Sequence, residues 1–130
     1  MLIYVAGPWV HRAQVKQVAQ QYRDKGHTVV SRWHDDWGAR SDAGITDADK
    51  REEAEKDVAD VQMSQALVLL NWEGSTGGMF VEQGIAIDRH TPVIVVGGPR
   101  SNVFHHLLSV KYVNSFAESL GVLAELEDYL

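Results

Sequence analysis

Ala66-Leu67-Val68-Leu69-Leu70, Gly74-Ser75-Thr76-Gly77-Gly78, the segment from Met79 to Asp88, and Pro92-Val93-Ile94-Val95-Val96 form the stretch that decides the fold. The first run is apolar at every position. Strands with one wet face alternate, so an unbroken run predicts a strand covered on both faces. The glycine-rich segment punctuates, the next segment is long enough for a helix, and Pro92–Val96 repeats the fully buried strand pattern. Strand, crossover helix and strand imply a parallel pair. Working outward, Leu2-Ile3-Tyr4-Val5-Ala6 reads as a strand closed by Gly7-Pro8. Val15, Val18, Ala19 and Tyr22 recur at helical spacing, and Lys25-Gly26 ends that helix. Residues 27–31 are strand-like, and residues 32–45 read as a polar loop. Thr46 with Asp49 predicts a capping box for a helix to about Ser64, whose stripe is Ala54, Val58, Val61 and Gln65. Residues 102–108 suit a short helix and Lys111-Tyr112-Val113 a last strand. Ser115 with Glu118 can cap a C-terminal helix. Strands and helices alternating in this way predict an α/β protein with a five-stranded parallel sheet. The sheet is doubly wound, flavodoxin-like, with helices on both faces.

The chain has 130 residues, the length of one domain, so residues 1–130 are expected to form a single unit. Hydrophobic residues make up 45% and charged residues 23%, which excludes disorder for the body of the chain. No apolar run is long enough to span a membrane, and no basic leader or cleavage site opens the sequence. Cysteine is absent, so thiol catalysis, disulfides and cysteine zinc sites are excluded, and a cytoplasmic location is expected. A net charge of −6 without a basic patch argues against nucleic acid as a partner. The four tryptophans, Trp9, Trp33, Trp37 and Trp72, all fall beside predicted strand ends. Parallel sheets bind ligands beyond the carboxyl ends of their strands, so these residues suggest an aromatic pocket for a flat ligand. Covering the sheet edge is the alternative.

Glu82 is anomalous because its helix is otherwise almost free of charge, from Met79 and Phe80 to Ala86 and Ile87. A helix apolar all round is expected to be buried, and a buried carboxylate needs a partner or a function. It is read either as a helix-dipole contact or as a nucleophile or base beside the glycine-rich loop. Gly84 is expected to let this helix pack closely. Asp57 falls at the border of its helix's apolar stripe and can point toward the strand ends, whereas Asp60 is expected in solvent. The glycine-rich loop could cradle an anion or admit a substrate to the backbone, but it matches neither a P-loop nor Gly-x-Gly-x-x-Gly. His105-His106 is a poor chelate because adjacent helical side chains diverge, and His34-Asp35-Asp36 has no ligand spacing. Neither a metal nor a cofactor is expected.

Three segments together resemble the nucleoside 2-deoxyribosyltransferases and their relatives, the 2′-deoxynucleoside 5′-monophosphate N-glycosidases. They are Ile3-Tyr4-Val5-Ala6-Gly7-Pro8-Trp9; Asp57-Val58 with the strand ending at Leu70; and Ser75 to Gly84 followed by Ala86 and Thr91-Pro92-Val93. Asn102-Val103-Phe104-His105-His106-Leu107 is similar to a segment of small members. The resemblance covers most of the chain and implies one deoxyribosyltransferase-like domain. It implies that Glu82 attacks C1′ of the deoxyribose and forms a covalent glycosyl-enzyme, that Asp57 protonates the leaving base or orients the sugar, and that Tyr4 fixes the nucleophile. Trp9 falls at the position of a base-pocket aromatic, and the same site would take in Gly7, Ser75, Thr76 and Gly78; Trp33 joins the expected site by its place beside a strand end, since nothing in residues 32–45 is carried over from the family. Thr76 stands where the best-known transferases carry an acid and the phosphohydrolases a serine. The implied partners are a nucleoside or nucleotide and a free nucleobase. A homo-oligomer with shared sites is also implied, Asn102 or His105 of one subunit reaching the 5′ end. Base transfer between deoxynucleosides is the first expectation and hydrolysis of a deoxynucleoside monophosphate the second. A non-catalytic nucleotide-binding module on the same fold stays open.

Overall fold

In the computed structural model, residues 1–37, 44–75 and 77–130 are described. The elements run β1 (Leu2–Ala6), α1 (Arg12–Asp24), β2 (Thr28–Val29), α2 (Asp47–Met63), β3 (Ala66–Leu70), α3 (Gly78–Asp88), β4 (Val93–Val96), β5 (Val110–Val113) and α4 (Phe116–Glu127). Single turns of tighter or wider helix lie at Trp9–His11, Trp33–Trp37 and Val103–His106. The sheet is parallel throughout, in the order β2-β1-β3-β4-β5, as the alternating pattern predicts. Every residue of β3 and β4 is buried, which is why both runs lack polar alternation. Each fully buried Val or Leu there contributes about 1.5–3 kcal/mol, so the sheet centre is a rigid floor.

The chain reverses direction across the sheet between β1 and β3, whose register pairs Val5 with Val68 and Ala6 with Leu69. The carboxyl ends of these two strands open the crevice in which open parallel sheets bind ligands. β2 is shorter than its sequence suggests. Val30 N–H still donates to the Ile3 carbonyl at 2.8 Å, but the next ladder position is taken by a side chain, Ser31 Oγ accepting from Val5 N–H at 3.0 Å. The capping box at Thr46 and Asp49 forms with both of its hydrogen bonds, and Ser115 Oγ accepts from Glu118 N–H.

Two helices differ from their sequence reading. Ala54 and Val58 of α2 face outward, and the buried side carries Glu53, Asp60 and Val61. Asp60, expected in solvent, is 1% exposed and is held by both carboxylate oxygens on the Arg32 guanidinium. The inward face of α2 is thus a row of acids at helical spacing. α3 is not buried all round: Met79, Gln83 and Ala86 point inward, while Val81 is 64% exposed. Gly84 is exposed, and a Cβ built there meets nothing within 4 Å, so it serves no close packing inside this chain.

Candidate active site

Tyr4 stands in the middle of β1, fully buried, and its hydroxyl reaches across the crevice to α3. It donates to Glu82 Oε2. α3 starts abruptly, from Gly77 in the left-handed region at φ 106°, which only glycine adopts without strain. That start places Glu82 in the second turn, above the carboxyl ends of β1 and β3. Burial pushes the Glu82 carboxyl up to about 8, because the anion loses water. The Tyr4 hydroxyl acts against this shift, since its hydrogen bond favours the ionised form.

Asp57 and Glu53 approach the same space from α2. One helical turn separates them, so their side chains lie one above the other. Glu53 is 8% exposed, and each of the two acids keeps one buried oxygen without a hydrogen-bond partner among the described residues. Burial pushes the Asp57 carboxyl up to about 8, aided by the negative charge of Glu53, a hydrogen bond with it and the charge of Asp60, and opposed by Lys56. Two carboxyls in hydrogen-bonding reach must share a proton to attract one another.

One pocket joins these groups. Its lining includes Gly7, Trp9, Trp33, Glu53, Asp57, Ser75, Gly78 and Glu82. Trp9 and Trp33 form an aromatic wall, with ring centroids 6.4 Å apart and planes tilted by 37°. Trp33 is fixed by its indole N–H, which donates to the Val5 carbonyl at 2.9 Å, and Trp9 by the Arg12 guanidinium 4.2 Å above its ring. Gly7 is required by close approach: a Cβ there would lie 2.8 Å from Val15 Cγ2. Ser75 Oγ accepts from Gly77 N–H at 3.1 Å and so shapes the start of α3. None of the described lining residues is basic.

The expected site residues therefore divide. Glu82, Asp57, Tyr4, Gly7, Trp9, Trp33, Ser75 and Gly78 converge on one crevice. Asn102 and His105 line an adjoining recess, joined to the first through Ser75 and Met79, and Trp72 belongs to that recess as well. His105 is fully buried, and its Nε2 lies 2.9 Å from Gln83 Oε1, so in this chain it holds the Val103–His106 turn onto α3. The expectations for Thr76, the Trp37 side chain and residues 38–43 lie outside the described residues. Glu53 escapes the sequence reading. Its one signal is its position four residues before Asp57, hidden in the charged run Lys50-Arg51-Glu52-Glu53-Ala54-Glu55-Lys56.

Among the described residues no group of three His, Asp or Glu side chains is placed to hold a metal ion, and no helix is long and apolar enough to cross a membrane. No family model matches the chain and no curated protein matches it in sequence. Solved structures do. A 2-deoxyribosyltransferase of Bacillus psychrosaccharolyticus superposes with a TM-score of 0.70 at 19% identity, over 92% of this chain and 90% of that one. A CMP N-glycosidase of Clostridium botulinum gives 0.60 at 15% identity, over 96% and 99%. A conserved protein of Enterococcus faecalis V583 gives 0.58 at 21% identity, over 100% and 99%. The chain thus has the α/β fold of a group of structures that includes a deoxyribosyltransferase and an N-glycosidase, the group its sequence resembles.

Proposed function

We propose that this protein breaks the N-glycosidic bond of 2′-deoxynucleosides and transfers the sugar to another nucleobase. The observation that carries this reading is the Glu82 carboxyl, held by the Tyr4 hydroxyl and opening onto the same pocket as Asp57. Ionised Glu82 attacks C1′ as the C1′–N bond breaks. The bonding pair leaves with the base nitrogen, which takes a proton from Asp57. A glycosyl ester on Glu82 results. An incoming base attacks C1′, returns its N–H proton to Asp57 and frees Glu82, completing a double displacement with retention. The wall of Trp9 and Trp33 suits a flat base, and the absence of a basic residue from the described lining favours an uncharged nucleoside.

Hydrolysis of a deoxynucleoside 5′-monophosphate uses the same groups, with water in place of the second base. The adjoining recess beyond Ser75, with Ser101 and Asn102, is the observation that favours it, as room for a 5′ substituent. Val81, Val103, Phe104 and Leu108 leave apolar ground exposed. We read it as the contact through which a dimer or larger assembly completes the site, and the protein as cytoplasmic. Incubation with deoxyadenosine or thymidine plus a different free base, and separately with the monophosphates, tests the reading by chromatography. Appearance of the exchanged nucleoside is expected. Release of base from monophosphates alone would establish the hydrolase, and no reaction in either arm would leave a nucleotide-binding module. Sedimentation should give a dimer or larger species, and a fully active monomer would contradict the shared site.

A further inference from the structure

The resemblance assigns a role to Asp57 but none to Glu53, which the structure places beside it in the pocket wall. Glu53 is more than nine-tenths buried, its Oε1 has no hydrogen-bond partner among the described residues, and Lys56 Nζ stands 3.6 Å from its Oε2. A buried acid is costly unless its polar atoms are paired, and the Lys56 contact leaves one Glu53 oxygen unsatisfied among the described residues. We propose that Glu53 is a positioning residue for Asp57: the two carboxyls share one proton across a helical turn, which keeps Asp57 in the acid form that a departing nucleobase requires. This rests on the proposed N-glycosidic cleavage.

The charged groups around the pair are consistent with a shared proton. On α2 they are Lys56 and Asp60, and Asp60 is occupied by Arg32 from the end of β2. From α3 comes Glu82, another acid of the same pocket, and beyond Trp9 lies Arg12, stacked on that ring. Lys56 opposes retention of a proton on Asp57, but burial and the charges of Glu53 and Asp60 outweigh it. In cleavage that proton passes from Asp57 to the base nitrogen as the C1′–N bond breaks, leaving both carboxylates ionised. In the second half the attacking base or water gives one proton back, and the pair returns to its starting state.

The test uses the full chain, the Glu53→Gln variant, and two substrates. Deoxyguanosine needs a proton on its leaving base. In 7-methyl-2′-deoxyguanosine the base already carries a fixed positive charge and departs neutral. An amide at position 53 carries no charge and donates to the Asp57 carboxylate, so it favours loss of the proton. Cleavage of deoxyguanosine should fall about 10- to 100-fold at neutral pH, with its alkaline limb moved about one pH unit lower, while the methylated substrate stays within about twofold. Equal losses on both substrates with an unmoved limb would reduce Glu53 to a structural part and overturn the proposal. Carbon-13 NMR of the Asp57 carboxyl decides the pair without turnover: its titration should move to lower pH in Glu53→Gln, and an unmoved titration would overturn the sharing. Failure of the parent chain to cleave any deoxynucleoside would defeat the reaction itself, and the NMR titration would still decide the coupling.

Discussion

The two faces of the sheet put burial to opposite uses. Beneath α1 and α4, Tyr22 is fully buried against Phe116 with ring centroids 4.7 Å apart, and its hydroxyl lies 2.7 Å from Ser119 Oγ. Burial pushes the Tyr22 phenol up to about 12, so it is neutral at any working pH and its polar atom has a partner. Beneath α2 and α3 the pocket is lined by buried Glu53 and half-buried Asp57 and Glu82, acids whose ordinary state in water is charged. One face lowers the free energy of the fold. The other holds groups away from water, raising their proton affinity to where acid–base chemistry at neutral pH operates. The difference teaches that fold and site are separable here, and single substitutions should separate them.

The largest effect expected is on chemistry. Glu82→Gln should lower turnover by about a thousandfold or more with the circular dichroism spectrum unchanged, because among the described residues no other carboxyl meets the Tyr4 hydroxyl. The corresponding change on the other face, Tyr22→Ala, should destabilise the fold by about 3–4 kcal/mol in chemical denaturation, through the cavity left between α1 and α4. Residual activity per folded molecule should stay near that of the parent chain. A smaller effect is expected of Tyr4→Phe. Loss of the donor to Glu82 should lower kcat about 10- to 100-fold and move the acid limb of the pH profile upward, since ionised Glu82 then lacks a hydrogen bond. An unmoved limb would show that Tyr4 only packs.

The smallest effect concerns stability. Burial pushes the Glu82 carboxyl from its ordinary 4.5 up to about 8 in the folded chain, so between these values the folded chain keeps a proton that the unfolded chain has lost. Stability must therefore fall as pH rises through that window. Glu82→Gln removes the dependence and should be more stable than the parent at pH 7 by about 1–2 kcal/mol, after allowance for the water that reaches the pocket. Equal melting temperatures from pH 5 to pH 8 would mean that the carboxyl is not held away from water.

What was legible in the sequence follows the same division. Ala66–Leu70 and Pro92–Val96 announced the sheet because a strand buried on both faces cannot alternate, and Thr46 with Asp49 announced α2 because a capping box is local. Glu82 was visible as the one charge in the body of an otherwise uncharged helix that ends at Asp88. The inward face of α2 was not, because hydrophobic periodicity assumes that the apolar stripe points inward. Here Ala54 and Val58 turn out and Glu53 and Asp60 turn in, since the helix lines a pocket and Arg32, distant in sequence, neutralises Asp60. His105 was equally beyond local reading: its partner Gln83 lies on a different element, and only the packed structure brings them together.

The central claim is that Glu82 attacks C1′. Its most direct test is mass spectrometry of the protein quenched during turnover of a 2′-deoxynucleoside whose sugar carries a 2′-fluoro substituent, which slows release of the glycosyl ester. A deoxyribosyl-type adduct on the peptide that contains Glu82, absent from Glu82→Gln, is the predicted result. Turnover without an adduct at Glu82, and undiminished in Glu82→Gln, would contradict it.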